Sequence, residues 1–217
     1  MTGSSRTPIA FEDRDASGAR LSSPSAERNS GPIAEALAAV LPREARVLEI
    51  ASGTGQHALA CVTARPDLSW TPSELDAASR ASIDDWARDA DGRIAAALKL
   101  DVCKPGWADG LGPFDAVFCA NMIHIAPWEA AEGLFAGAAS LLGEAGGLHL
   151  YGPFLEGAES APSNRDFDRS LRERDPRWGV RALDAVDALA GRNGFARSGR
   201  REMPANNLLV SYARGTS

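Results

Sequence analysis

The stretch Val47 to Ala58, VLEIASGTGQHA, decides the fold. A short β-rich run, Arg46 to Ala51, stops at Gly53-Thr54-Gly55, and a helix-forming run follows at once. Gly53-Thr54-Gly55-Gln56-His57-Ala58 spells G-x-G-x-x-[GA], the pattern of a turn that lets backbone approach a nucleotide-bearing cofactor. Glycines at 53 and 55 permit that approach because they carry no Cβ. A tight strand–helix turn with no ligand has the same local spelling, so the order of the neighbouring elements has to separate the two.

Working outward, that order is regular. Gly31 to Leu41 has helical spacing, with Pro32 suited to a first turn. After the glycine turn, QHALACVTA continues as a helix, and LSWTP is a second strand that Pro72 ends. Asp76 to Ala90 is helical, with Ala77, Ala81, Ile83 and Trp86 as its expected inner face. AAALKL runs up to Asp101 as a third strand. Phe114 to Asn121 is nearly all apolar, as expected for a central strand covered on both faces. WEAAEGLFAGAASLL is a helix and LHLYGPF a further strand, with GEAGG as the turn between them. Alternation of this kind predicts an α/β fold with a doubly wound, mostly parallel seven-stranded sheet. Two helical runs follow, SLRERD and ALDAVDALAGRNG. FARSGRREM and NLLVSYAR, joined by PANN, then predict a C-terminal antiparallel hairpin. Residues 1–29 read as a polar leader and 30–217 as a single domain.

Composition narrows the function. At 217 residues, with 44% hydrophobic and 24% charged, the chain has the make-up of a globular domain. A net charge of −6 and a pI near 5.1 argue against a sequence-independent grip on nucleic acid or an anionic membrane surface. No apolar run approaches the ~18 residues that span a bilayer. The leader lacks an apolar signal core, which makes the cytoplasm the expected location. Cys61, Cys103 and Cys119 read as buried reduced thiols. The three histidines have no metal-ligand spacing, so no metal is expected.

Glu49 separates the candidate cofactors. A dinucleotide sets its pyrophosphate at the helix N-terminus, where a neighbouring carboxylate would repel it. S-adenosylmethionine carries no phosphate but has a sulfonium and an ammonium, whose charge a strand carboxylate compensates. A buried Glu paired with an Arg or with backbone N–H groups is the plain alternative. Ala51, Gly53 and Gly55 form the turn itself. Glu74 ends the second strand, where a carboxylate accepts from ribose hydroxyls; Asp76 competes for that role, and either also fits a helix N-cap. Asp101 is placed to accept from an adenine amino group beside the Val102 N–H, with an N-cap as its alternative.

These features together resemble a class I S-adenosylmethionine-dependent methyltransferase. SPSAERN, EIASGTGQHA, PSE, FCANMIHIAPWEA, LYGPF, SNRDFDRSLRERDPRWGVR and MPANNLL are more closely similar to the DUF938 family of methyltransferase-like proteins. The likeness runs from Leu21 to Arg214, although that family usually has Asp at the position of Glu74. It implies S-adenosyl-L-methionine as cofactor, S-adenosyl-L-homocysteine as product, and a lid in which Arg28 and Asn29 fold over the cofactor. It supplies no substrate.

Chemistry is expected on the loops after the fourth and fifth strands, where Asn121, Met122, His124, Trp128, Tyr151 and Phe154 lie. Asn121 is a cofactor-site candidate. His124 is the candidate general base, with an ordinary loop histidine as its alternative. Tyr151 orients the acceptor or fills the pocket wall. The chain lacks the [DN]-P-P-[YF] signature of methyltransferases acting on amino groups of bases and glutamines, which favours a small-molecule acceptor. Residues 163–181 either line the substrate mouth or form a solvated helix face. Two other readings stay open: a protein that binds S-adenosylmethionine without catalysis, and an NAD(P)-dependent oxidoreductase, which Glu49 opposes.

Overall fold

The computed structural model describes residues 14–214. The first thirteen residues of the expected leader lie outside the described residues. The leader's remainder is structured: β1 (Asp15–Ser17) pairs antiparallel with β2 (Arg20–Ser22), and α1 runs Pro24–Ala38. That helix begins seven residues before the expected Gly31, because Ser23 caps it by accepting from the Ala26 N–H and Pro24 occupies its first turn. The boundary expected at 29/30 therefore falls inside α1.

The main sheet contains β3 (Arg46–Ile50), β4 (Ser69–Ser73), β5 (Phe114–Ala120), β6 (Leu142–Pro153), β7 (Phe195–Met203) and β8 (Asn207–Arg214). Their order is β4-β3-β5-β6-β8-β7, with the first four strands parallel and β8 and β7 antiparallel, as the C-terminal hairpin requires. The seventh strand is present as two parallel bridges to β4, Trp70 to Ile94 and Ser73 to Leu98. Pro72 explains the gap. The Trp70 and Glu74 N–H groups donate to the carbonyls of Arg93 and Leu98, and the residue between them has no N–H to give.

Period-two alternation sends the two faces of the sheet into separate cores. Leu48, Ile50, Val117, Cys119, Leu148 and Leu150 pack against α4 (Trp128–Leu141) and α6 (Leu183–Arg192). Val47, Ala116, Phe118, Tyr151 and Leu209 face α1 and α2 (Gln56–Ala64). α3 (Ala77–Ala87) shows where an apolar reading fails. Ala77 and Ala81 are exposed, while Ser79, Ser82 and Ile83 are buried. Ser82 donates to the Thr54 carbonyl and accepts from the Leu21 N–H, so polar contacts select this face. A third, small core joins Leu171 of α5 (Pro162–Arg174) to Trp178, Val180, Ile125 and Leu155. Of the cysteines, Cys61 and Cys119 are buried as expected, but Cys103 is exposed in the turn after Asp101.

Gly133 and Gly137 flatten one side of α4. A Cβ at Gly133 would stand 1.9 Å from the Val102 carbonyl oxygen, and one at Gly137 would stand 2.0 Å from the Trp107 ring. The Trp107 indole N–H donates to the Gly133 carbonyl, fastening the 101–110 turn to the helix. Gly133→Ala is expected to cost about 1–3 kcal/mol, the usual scale of overpacking. Gly143→Ala, where a Cβ meets open space, should not lower stability. Urea unfolding midpoints of the two variants check this.

Gly55 differs from Gly53 in the same terms. Both have positive φ, but a Cβ at Gly55 would lie 2.9 Å from the Ile83 Cα, whereas one at Gly53 meets nothing within 4 Å. Gly55→Val should therefore unfold at clearly lower urea than Gly53→Val, because α3 has to move away. Equal midpoints would show that the α2–α3 contact tolerates displacement.

Candidate functional site

The carboxyl ends of the parallel strands bring three groups of residues to one edge of the sheet. The first surrounds Glu49, which is 1% exposed and sits in the row Pro72–Glu49–Phe118. Its Oε2 accepts from the Trp70 indole N–H at 2.9 Å. Its Oε1 is buried with no hydrogen-bond partner, and the Nδ1 of His57 stands 4.0 Å away. Burial pushes the carboxyl up to about 7, against the opposing hydrogen bond from Trp70. A buried carboxylate with one oxygen unsatisfied is a place for a cation. The expected alternative, pairing with an Arg, is absent among the described residues.

The glycine turn is the second group. Ala51 and Gly53 both adopt positive φ, and the Gly53 N–H donates to Glu74 Oε2 at 3.0 Å. The second oxygen of Glu74 accepts from the Leu75 N–H, so the side chain folds back over the turn. Asp76 does something else. It caps α3, accepting from both the N–H and the hydroxyl of Ser79. Of the two candidates for ribose recognition, only Glu74 touches the turn. Asp101 accepts from the Cys103 N–H at 3.1 Å and caps no helix, since a series of turns follows it. Val102 is buried beside it and its carbonyl packs on α4. Asn29 lies half-buried on α1. One residue away from the turn, Gln56 Oε1 accepts from the Ser23 N–H and the Thr54 hydroxyl, tying the start of α1 to the loop.

The third group sits at the ends of β5 and β6. Asn121 takes a left-handed conformation with φ 60° and opens a single 3-10 turn, Met122–His124. His124 is 1% exposed, with its ring edge-on to Phe154 at 5.1 Å. The Arg181 N–H donates to His124 Nδ1 at 3.2 Å. A neutral ring accepting at Nδ1 carries its proton on Nε2. Burial, and then the neighbouring Arg181 charge, hold the imidazole down near 3, so it stays neutral. In this arrangement the nitrogen facing Gly152 has a proton to give and no lone pair to take one, which weighs against the general-base expectation. Tyr151 is 1% exposed in the α1-side core, and its hydroxyl accepts from Asn207. Burial pushes it up to about 12. The side chain is thus packed in the core.

Sequence reading missed Trp70, Arg181 and Gly152. Trp70 could have been found, because period two puts it on the Glu49 face one strand away. Arg181 is 57 residues from His124 and carried no local signal. Within residues 163–181, α5 packs through Leu171 on Ile125 and Leu155, beside this third group, with its arginines outward. Two surface hollows lie elsewhere, at about 490 Å³ between Lys104–Asp109 and α4, and at about 780 Å³ between α1 and α2. Neither contains Glu49, Gly53 or His124. The buried unsatisfied atoms of Glu49 and His124 lie instead at the strand ends. Among the described residues no three metal-ligating side chains gather, and no helix is long and apolar enough to cross a membrane.

Comparison with solved structures places the fold. An O-methyltransferase family protein from Burkholderia thailandensis superimposes with a TM-score of 0.74 at 18% identity, over 88% of this chain and 57% of that one. The mitomycin 7-O-methyltransferase MmcR gives 0.72 at 17%, over 86% and 54%. An O-methyltransferase from neocarzinostatin biosynthesis, in complex with S-adenosylmethionine and 2-hydroxy-5-methyl naphthoic acid, gives 0.67 at 18%, over 83% and 53%. This chain thus spans little more than half the length of each. The shared architecture is the Rossmann-like fold of class I S-adenosylmethionine-dependent methyltransferases. Residues 20–214 match the family described as protein of unknown function (DUF938), and the chain belongs to that family.

Proposed function

We propose that this chain binds S-adenosylmethionine at the carboxyl ends of β3 and β4 and transfers its methyl group to a small molecule. The observation that carries the reading is Glu49: a buried carboxylate, fixed by Trp70 at one oxygen and unsatisfied at the other, beside a glycine turn. A phosphate-bearing dinucleotide gains nothing from that carboxylate, whereas a sulfonium and an ammonium do. Gly53, where a Cβ would meet open space, leaves the backbone open to the cofactor; Ala51 and Gly55 shape the turn, and Glu74 serves the ribose. Asp101 and Val102 serve the adenine, and Asn121 closes the site. When bound, the cofactor supplies a methyl group on a sulfonium sulfur. The protein's own part is to fix the approach line of the acceptor and keep water away.

The solved O-methyltransferases share only the fold, so the small-molecule class rests also on the acidic surface and the absent [DN]-P-P-[YF] signature. The N-terminal hairpin and the start of α1 supply the lid. Ser23 touches Gln56, and Ser82 joins Leu21 to Thr54, so this segment borders the turn. Asn29→Ala should weaken cofactor binding several-fold, read by isothermal titration. An unchanged constant would remove α1 from the lid.

Glu49→Gln keeps the Trp70 bond and removes the charge. S-adenosylmethionine affinity should fall about 10–100-fold, the range for a hydrogen bond to a charged group. The pH dependence has a fixed sign. Glu49 rises from an ordinary 4.5 to about 7 on folding. Its folded form therefore holds a proton that the unfolded chain has lost, and its stability contribution declines as pH rises across that window. Cation binding needs the ionised form, so affinity should climb as pH rises through about 7 in the wild type and stay flat in Glu49→Gln. Calorimetric titration at pH 6, 7 and 8 reads both, and tighter binding of NAD(P) than of S-adenosylmethionine would sink the proposal.

A further inference from the structure

The substrate side of the site holds a second unsatisfied polar atom. His124 Nε2 is buried with no hydrogen-bond partner, and the Arg181 N–H at Nδ1 leaves the ring proton on it. Next to it the chain has no side chain: a Cβ at Gly152 would lie 2.8 Å from His124 Nε2 and 3.0 Å from Asn121 Oδ1. Any side chain at this position would collide with that edge of the ring. Arg181 adds charge. Its guanidinium donates to the carbonyls of Ile123, Ala126 and Arg177 at 2.7–3.0 Å and lies over the Trp128 ring. Among the described residues no carboxylate pairs with it.

A buried N–H with no hydrogen-bond partner, beside a half-buried cation, is built to receive a negative oxygen. It is not built to remove a proton, because the only free imidazole nitrogen already carries one. We propose that His124 donates a hydrogen bond to the methyl acceptor, which binds over Gly152 as an oxyanion, a carboxylate or an acidic phenolate. The proposal rests on the methyltransferase reading and names its substrate class. An acceptor of that class gives an oxygen electron pair to the methyl carbon while the carbon–sulfur bond breaks onto sulfur. No proton leaves, so no base is required. His124 then selects the ionised acceptor and fixes its direction.

The test uses the full chain with ¹⁵N-labelled histidine, with and without S-adenosylhomocysteine, and two probes of similar shape, benzoate and benzyl alcohol. The wild-type spectrum should show the His124 proton on Nε2 from pH 5 to 8. Benzoate should shift that signal and benzyl alcohol should not. His124→Gln places an amide N–H near the same position and should hold benzoate within about threefold of wild type, whereas His124→Ala should weaken it at least tenfold. A proton found on Nδ1, or a ring that titrates between pH 6 and 7, would overturn the proposal. So would equal shifts with both probes, or none with benzoate. Because the wild-type arm runs without cofactor, its outcome is separate from failure to bind S-adenosylhomocysteine, which would count against the methyltransferase reading alone.

Discussion

The hydrogen bond from the Trp70 indole to Glu49 is the contact on which the site depends. Taking a carboxylate into a sheet interior is expensive, and a single donor offsets only part of the penalty. The remainder shows as a carboxyl held partly protonated at neutral pH. Folding thus keeps one acceptor oxygen out of water without satisfying it. A protein with only structural needs would have an apolar residue between Val47 and Phe118. The strain is confined to the place where β3 meets the glycine turn, and the apolar sheet on either side meets its cost.

The same logic recurs across the mouth of the site with opposite sign. Arg181 reaches the 122–126 loop through two side-chain bonds, to the Ile123 and Ala126 carbonyls, and one backbone bond to His124, and so fixes both the loop and the ring tautomer. Leu171, Trp178 and Val180 give that segment its own small core against Ile125 and Leu155. The strand-end edge therefore carries a buried unsatisfied acceptor at Glu49 and a buried unsatisfied donor at His124. In the proposed reading, separation of these two groups along one sheet edge gives a bound pair of ligands a definite orientation.

Much of this was legible in the chain. The order of elements, the C-terminal hairpin and the two faces of the sheet follow from periodicity and from where glycines and prolines fall. Glu49, Gly53 and Glu74 were visible because a glycine turn and two strand ends are local signals. What was not legible depended on contacts across long separations or on polar groups used as core. The buried face of α3 is made partly of serines, whose partners, Leu21 and Thr54, cannot be read from helical spacing. The interrupted third strand followed from a single missing N–H in its neighbour. The tautomer of His124 was set by a backbone amide from another element, and no amount of local spelling encodes it.

One feature of the sheet bears on how copies of this chain meet. An edge strand is a row of amide and carbonyl groups open to pairing with a foreign strand. On one flank β7 carries Arg197, Arg200, Arg201 and Glu202, and its register breaks between Arg197 and Gly199. Charge and a bulge are both deterrents to strand addition. On the other flank the bridges at Ile94 and Leu98 occupy the hydrogen-bonding positions that β4 would otherwise offer. Both flanks of the sheet thus carry deterrents to strand addition.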